Sequence, residues 1–324
     1  MKILIFSFIL ILFAFSAFSQ RYDQKKDKER IIRNKIKSQI QWEHDYVSGK
    51  VKQTGYKSIY IKYDKKGNII EEIHYKFNGT ISRVLTYKYD NKGNKIEYIN
   101  YQGGDRKKIL YKQSIKYDLK GNKLEEAGFD GISNYKISFQ YDKNNRISVI
   151  NYYNSNNKII EKRVFKYVDN QTGISVYRQE NIISSRITNK YNNNGDIIEK
   201  VIYNEDNNVT KKTLSKYDTK KRIIEVTEYA YGKFSNSLTY KYNAKGNLFE
   251  VFKKNQKGEN YIDIRFKYDI NGNLVEELWY SGKPQNYSKK NYRYDEKGIL
   301  NNIDCYYATY QYKVLYKFVY EFYE

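Results

Sequence analysis

From residue 51 onward, apolar and polar residues alternate with a period of two, the pattern of strands whose two faces meet different surroundings. Ile109, Tyr111, Ile115 and Tyr117 fall on one side, while Lys108, Lys112, Ser114 and Lys116 fall on the other. The alternation stops at regular intervals for one short motif, Tyr-Asp-x-x-Gly-Asn, with an aliphatic residue just after it, as in YDKKGNIIEEIHY from Tyr63 and YDINGNLVEELWY from Tyr268. The station tyrosines are Tyr63, Tyr89, Tyr117, Tyr141, Tyr167, Tyr191, Tyr217, Tyr242, Tyr268, Tyr294 and Tyr320; they span 257 residues in ten steps, or about 26 per repeat. Asp one residue after the station and Gly four after it predict a type I turn closed by a left-handed glycine, so each repeat reads as two antiparallel strands. Asn145 replaces that glycine in one copy and tolerates the left-handed region, whereas Lys221 in another has no such tolerance. A single proline, Pro284, leaves the predicted ladders intact.

Ten repeats give roughly 20 sequential strands, twice the number at which open sheets curl or split. The predicted fold is therefore all-β: a long coiled or twisted antiparallel sheet, a β-meander or spiral shell over residues 51–324. Stability in such a chain comes from contacts between neighbouring repeats. The two segments before it differ. Residues 1–19, MKILIFSFILILFAFSAFS, carry one Lys, an unbroken apolar run and small residues ahead of Gln20, which reads as a cleaved signal peptide. In residues 20–50 the apolar Ile32, Ile36 and Ile40 recur every fourth position among helix formers, predicting one basic amphipathic helix that caps the first strand's edge or touches an anionic surface.

Charge and composition narrow the function. With 59 Lys and Arg against 37 Asp and Glu the chain carries +22, yet it has one Cys and two His. A disulfide framework and a His or Cys metal centre are excluded by that count, and no cofactor is expected. Cys305 reads as a small buried hydrophobe. No later stretch is apolar enough to span a membrane. Paired glutamates such as Glu71-Glu72 and Glu276-Glu277 sit next to each other on a strand and so point to opposite faces, which rules them out as a glycosidase pair.

Two ladders remain. The residue before the station is basic in nine of ten copies: Lys62, Lys88, Lys116, Lys166, Lys190, Lys216, Lys241, Lys267 and Arg293. Glu follows eight residues after the station in seven copies. With a three-residue turn alone, that Glu lies on the tyrosine face, away from the lysines, and leaves an uncompensated line of cations about 10 Å apart. The twelfth position adds Tyr75, Tyr101, Tyr203, Tyr229 and Tyr280 as rings for stacking on sugars.

The repeated Tyr-Asp-x-x-Gly-Asn motif resembles the YD repeat of the RHS (rearrangement hotspot) family over residues 51–324; MORN-type variant repeats are the nearest competing label. The resemblance implies exported bacterial proteins whose strands wind into an elongated or hollow shell, often credited with carbohydrate binding. The longer spacing here and an end inside a strand, YKFVYEFYE, argue against a toxin-enclosing role. The expected function is non-enzymatic: binding a polysaccharide or other anionic polymer of the envelope or surroundings through the Lys and Tyr rows. Alternatives are a cell-surface scaffold for protein partners and a remnant of an RHS toxin shell. Export to periplasm, surface or medium makes intracellular nucleic acid an implausible partner.

Overall fold

The computed structural model describes residues 26–179, 182–280 and 286–324; the predicted signal peptide lies outside them. The repeats form the hairpins that the motif predicts. In the first, the Gly67 amide donates to the Asp64 carbonyl (2.9 Å) and the Asp64 amide to the Asn68 carbonyl (2.9 Å), with Gly67 at φ +71°. The Asp64 carboxylate accepts from the amides of Lys66 and Asn68, and the Asn68 side chain donates to its other oxygen. Each letter of Asp-x-x-Gly-Asn thus has a task in closing the turn. Lys221 takes the left-handed conformation too, at φ +61°, and there Arg222 clamps Asp218 at 2.6 and 2.7 Å.

Consecutive strands pair antiparallel from Tyr56–Tyr63 to Tyr312–Phe322. The predicted open or spiral sheet is corrected at its ends. Strand Ile36–Val47 pairs with Tyr312–Phe322 on one edge and with Tyr56–Tyr63 on the other, so the sheet closes on itself. Of the 23 strands one, Lys50–Val51, only folds back on Tyr46 and Val47, which leaves 22 in the ring. An even number is what an all-antiparallel closed sheet requires. Closure also removes both unpaired edges, the liability of a long meander.

The predicted helix over 20–50 is corrected as well. Among the described residues of this segment, 26–33 are helical; Ile36 and Ile40 lie in the closing strand. Spacing of four fits a helix turn and also two pleats of a strand, and here the strand gains two full ladders. Ile31, on the short helix, packs on a small cluster of Ile36, Tyr63 and Ile299 beside the seam.

Among the described residues, the strong strand-to-strand contacts all run between ladder neighbours. The accessible surface is 21517 Å² for 39.0 kDa, well above the roughly 14,000 Å² of a solid protein of that mass. Both walls are accessible. A round ring of 22 strands spaced ~4.8 Å and tilted about 40° measures roughly 40 Å across.

Candidate binding surfaces

A second bulge, beyond the turn, decides where the charges go. Tyr63 faces Ile69, but Lys62 faces Glu71, so Ile70 is an extra residue. The same shift recurs at Tyr89, Tyr117, Tyr141, Tyr191, Tyr217, Tyr242, Tyr268 and Tyr294. Tyr167 is the exception, with its strand running in register to a Val168–Gln171 turn. The bulge moves the Glu at the eighth position onto the lysine face, directly across from the lysine.

The expected uncompensated line of cations is therefore corrected. Lys88 pairs with Glu97 (2.8 Å), Lys116 with Glu125 (2.8 Å), Lys216 with Glu225 (3.0 Å), Lys241 with Glu250 (3.7 Å) and Lys267 with Glu276 (2.7 Å). Lys62 and Lys190 face Glu71 and Glu199, whose carboxylates are held by Arg106 and Lys212. Lys166 faces Gly173 and Arg293 faces Asn302. Burial pushes Glu276 up, but hydrogen bonds from Lys267 and Lys289 outweigh it and hold the carboxyl below its ordinary value. The second predicted row shares the lysines' face without joining them. From the eighth to the twelfth position the strand runs four residues, about 13 Å. At that far end Lys57 sits over the Tyr75 ring (4.6 Å), Arg186 over Tyr203 (5.4 Å), Phe234 meets Tyr229 edge-on and Tyr261 packs on Tyr280 (4.7 Å).

The station tyrosines act on the opposite face. Tyr89 donates its hydroxyl to the carbonyl of Ile69 (3.0 Å), Tyr141 to Lys123 (2.9 Å), Tyr242 to Ile223 (2.8 Å) and Tyr320 to Leu300 (2.7 Å), each reaching one repeat back. Those carbonyls lie just before pairing with the next strand begins, as at Glu71 opposite Thr86. The hydroxyl fills the gap that flaring strands leave.

We assign this tyrosine face to the inner wall because its rings and Lys200 are buried or half-buried, whereas the Lys88, Lys116, Lys216 and Lys267 side chains on the opposite face are 62–74% exposed. Burial raises the hydroxyl pKa of Tyr87, Tyr98, Tyr152, Tyr240 and Tyr292 and lowers the ammonium pKa of Lys200, all on this face, as expected where a closed wall crowds its concave side. Tyr87, Tyr98, Tyr111 and Tyr135 form a ribbon of rings across neighbouring strands, with centroids 5.2, 5.6 and 6.3 Å apart. The Tyr111 and Tyr135 hydroxyls share a hydrogen bond (2.8 Å), and Gln113 donates to Glu126 (2.7 Å) beside them. Cys305 is buried here, its thiol pushed up by burial to about 11, which suits the expected packing role. His44 is buried, its Nδ1 3.1 Å from the Lys52 carbonyl; His74 contacts Glu72 and Arg83.

The teneurin YD-shell family model matches residues 54–319. No curated protein matches the chain. Among solved structures it is similar to TcdB2-TccC3-Cdc42 (15% identity, TM-score 0.34, 80% of this chain and 14% of that one) and to TcdB2-TccC3 without its hypervariable C-terminal region (16%, 0.34, 79% and 14%). The chain thus spans about one seventh of those relatives. A porin-like protein from Bacteroides uniformis matches 89% of this chain and 97% of its own at 11% identity and a TM-score of 0.32.

Proposed function

Because the chain belongs to the teneurin YD-shell family, we propose that it works as an exported, non-enzymatic shell whose closed wall holds a polymeric partner. The observation that carries this reading is the closing strand Ile36–Val47, bonded along both edges, which turns the sheet into a closed wall. No helix among the described residues is long and apolar enough to cross a membrane. Charges also stand on both walls, Lys88 and Glu97 on one, Glu126, Lys200 and Glu277 on the other, so neither wall offers the roughly 25 Å apolar band of a membrane barrel.

An acidic polysaccharide is the partner class favoured by the surplus of a strongly basic chain, +22 in full and +21 once Lys2 leaves with the expected signal peptide. The paired outer lysines contribute little to that surplus, which moves the expected contact toward the inner wall. Retention of residues 20–324 on immobilised polygalacturonate, against neutral dextran and at low and moderate salt, tests the reading. Salt-sensitive retention on the acid polymer alone supports it; equal passage through both columns contradicts it and leaves a scaffold for protein partners.

A further inference from the structure

One rung of the inner wall departs from its neighbours. Two residues before the station and nine after it, the two adjacent repeats carry Phe165 with Val176 and Ser215 with Val226, and the next ones out carry Phe139 with Ile150 and Tyr240 with Val251. In the Tyr191 repeat these positions are Asn189 and Lys200, directly opposed, with Thr172 and Thr213 next on the same rung. Asn189 is 9% exposed, and its Oδ1 has no hydrogen-bond partner. Lys200 forms no ion pair among the described residues. The carboxylates nearest its cationic neighbours are committed, Glu228 to Lys211 (2.7 Å) and Glu161 to Arg163 (2.6 Å) and Arg178 (3.1 Å). Burial first, then Lys211 and Arg163, push the Lys200 ammonium down from its ordinary value. A half-buried cation beside two others, opposite an orphaned carbonyl oxygen, leaves an uncompensated cost in the wall.

We propose that the Asn189 and Lys200 rung binds one sugar-acid unit of an acidic polysaccharide, its carboxylate accepting from Lys200 and a ring hydroxyl donating to Asn189 Oδ1. This rests on the reading that the shell's inner wall receives such a polymer. The pairing asks for an anionic acceptor and a neutral donor within one small unit, which a uronic acid supplies and a glutamate side chain does not. Thr213, half-buried on the same rung, extends it for a further hydroxyl.

Calorimetric titration of residues 20–324 with hexagalacturonate and with hexaglutamate tests the site. The expected result is galacturonate binding that weakens at least tenfold in Lys200→Met and several-fold in Asn189→Val, with little glutamate binding. Lys200→Met should also melt higher than wild type, because it removes an uncompensated cation, so weaker binding does not reflect unfolding. Unchanged galacturonate affinity in Lys200→Met overturns the site and leaves the polymer reading standing. Equal affinity for the two oligomers overturns the sugar-acid assignment, and absence of galacturonate binding by wild type overturns both.

Discussion

The outer and inner walls are the two faces of the same strands, yet they manage charge in different ways. Outside, the bulge sets a lysine opposite a glutamate in seven repeats, and five of these close as direct ion pairs, from Lys88 to Lys267. Inside, charged groups are placed one by one: Lys123 and Gln113 on Glu126, Tyr292 on Glu277, Lys211 on Glu228. The periodic wall serves solubility and spacing, since exposed pairs contribute little to stability. The aperiodic wall is where a chain built from repeats becomes individual, and the proposed recognition is placed there for that reason.

Losing closure abolishes the contrast altogether. Removing residues 20–47 exposes the long edges Tyr56–Tyr63 and Tyr312–Phe322, and the expected outcome is aggregation or edge pairing, read by size-exclusion chromatography with scattering. Within an intact ring, inner-wall changes should outweigh outer ones. Tyr242→Phe deletes the bond to the Ile223 carbonyl and leaves that group unpaired, so denaturant melts should show a loss of about 1–2 kcal/mol. Lys221→Gly relieves a left-handed lysine and should gain about 0.5–1 kcal/mol in the same assay. The turn aspartates give a pH signature. Side-chain bonds from Asn122 and Arg222 hold Asp118 and Asp218 below the ordinary carboxylate value. Their contribution is therefore present above about pH 4 and lost as pH falls through the lowered values. Thermal midpoints should drop below pH 4, and less steeply in Asp118→Asn. The smallest effect belongs to the outer row: Lys88, Lys116, Lys190 and Lys216 changed together to Gln should leave the melting temperature within experimental scatter.

Much of this architecture is legible in the sequence, and the misses have physical causes. Asp and Gly at fixed offsets dictate the turn locally, so strand number and antiparallel order follow from Tyr63 to Tyr320. The bulge at Ile70, Ile96 and Leu124 does not follow, because an extra aliphatic residue looks like any other strand residue. One signal was available: Lys precedes the station wherever Glu stands eight after it, while Gln140 accompanies Val149, a pairing that only a bulge explains. Closure was hidden because IKSQIQWEHDYV fits both a helix stripe and strand alternation of Ile36, Ile40, Trp42 and Tyr46. Ladders to residues almost three hundred positions away decide between them. The Asn189 and Lys200 rung was invisible for a related reason, since facing across a hairpin depends on the same bulge.

The closed ring is tested most directly by a distance between its first and last strands. Trp42 lies opposite Lys317. With Cys305 changed to Ala and spin labels on cysteines at these two positions, pulsed dipolar spectroscopy should give a narrow distance below about 20 Å, since backbones of facing residues are about 5 Å apart. An open sheet of 22 strands would separate the same labels by up to about 100 Å. A broad distribution beyond about 40 Å would contradict closure, and with it the assignment of an inner wall.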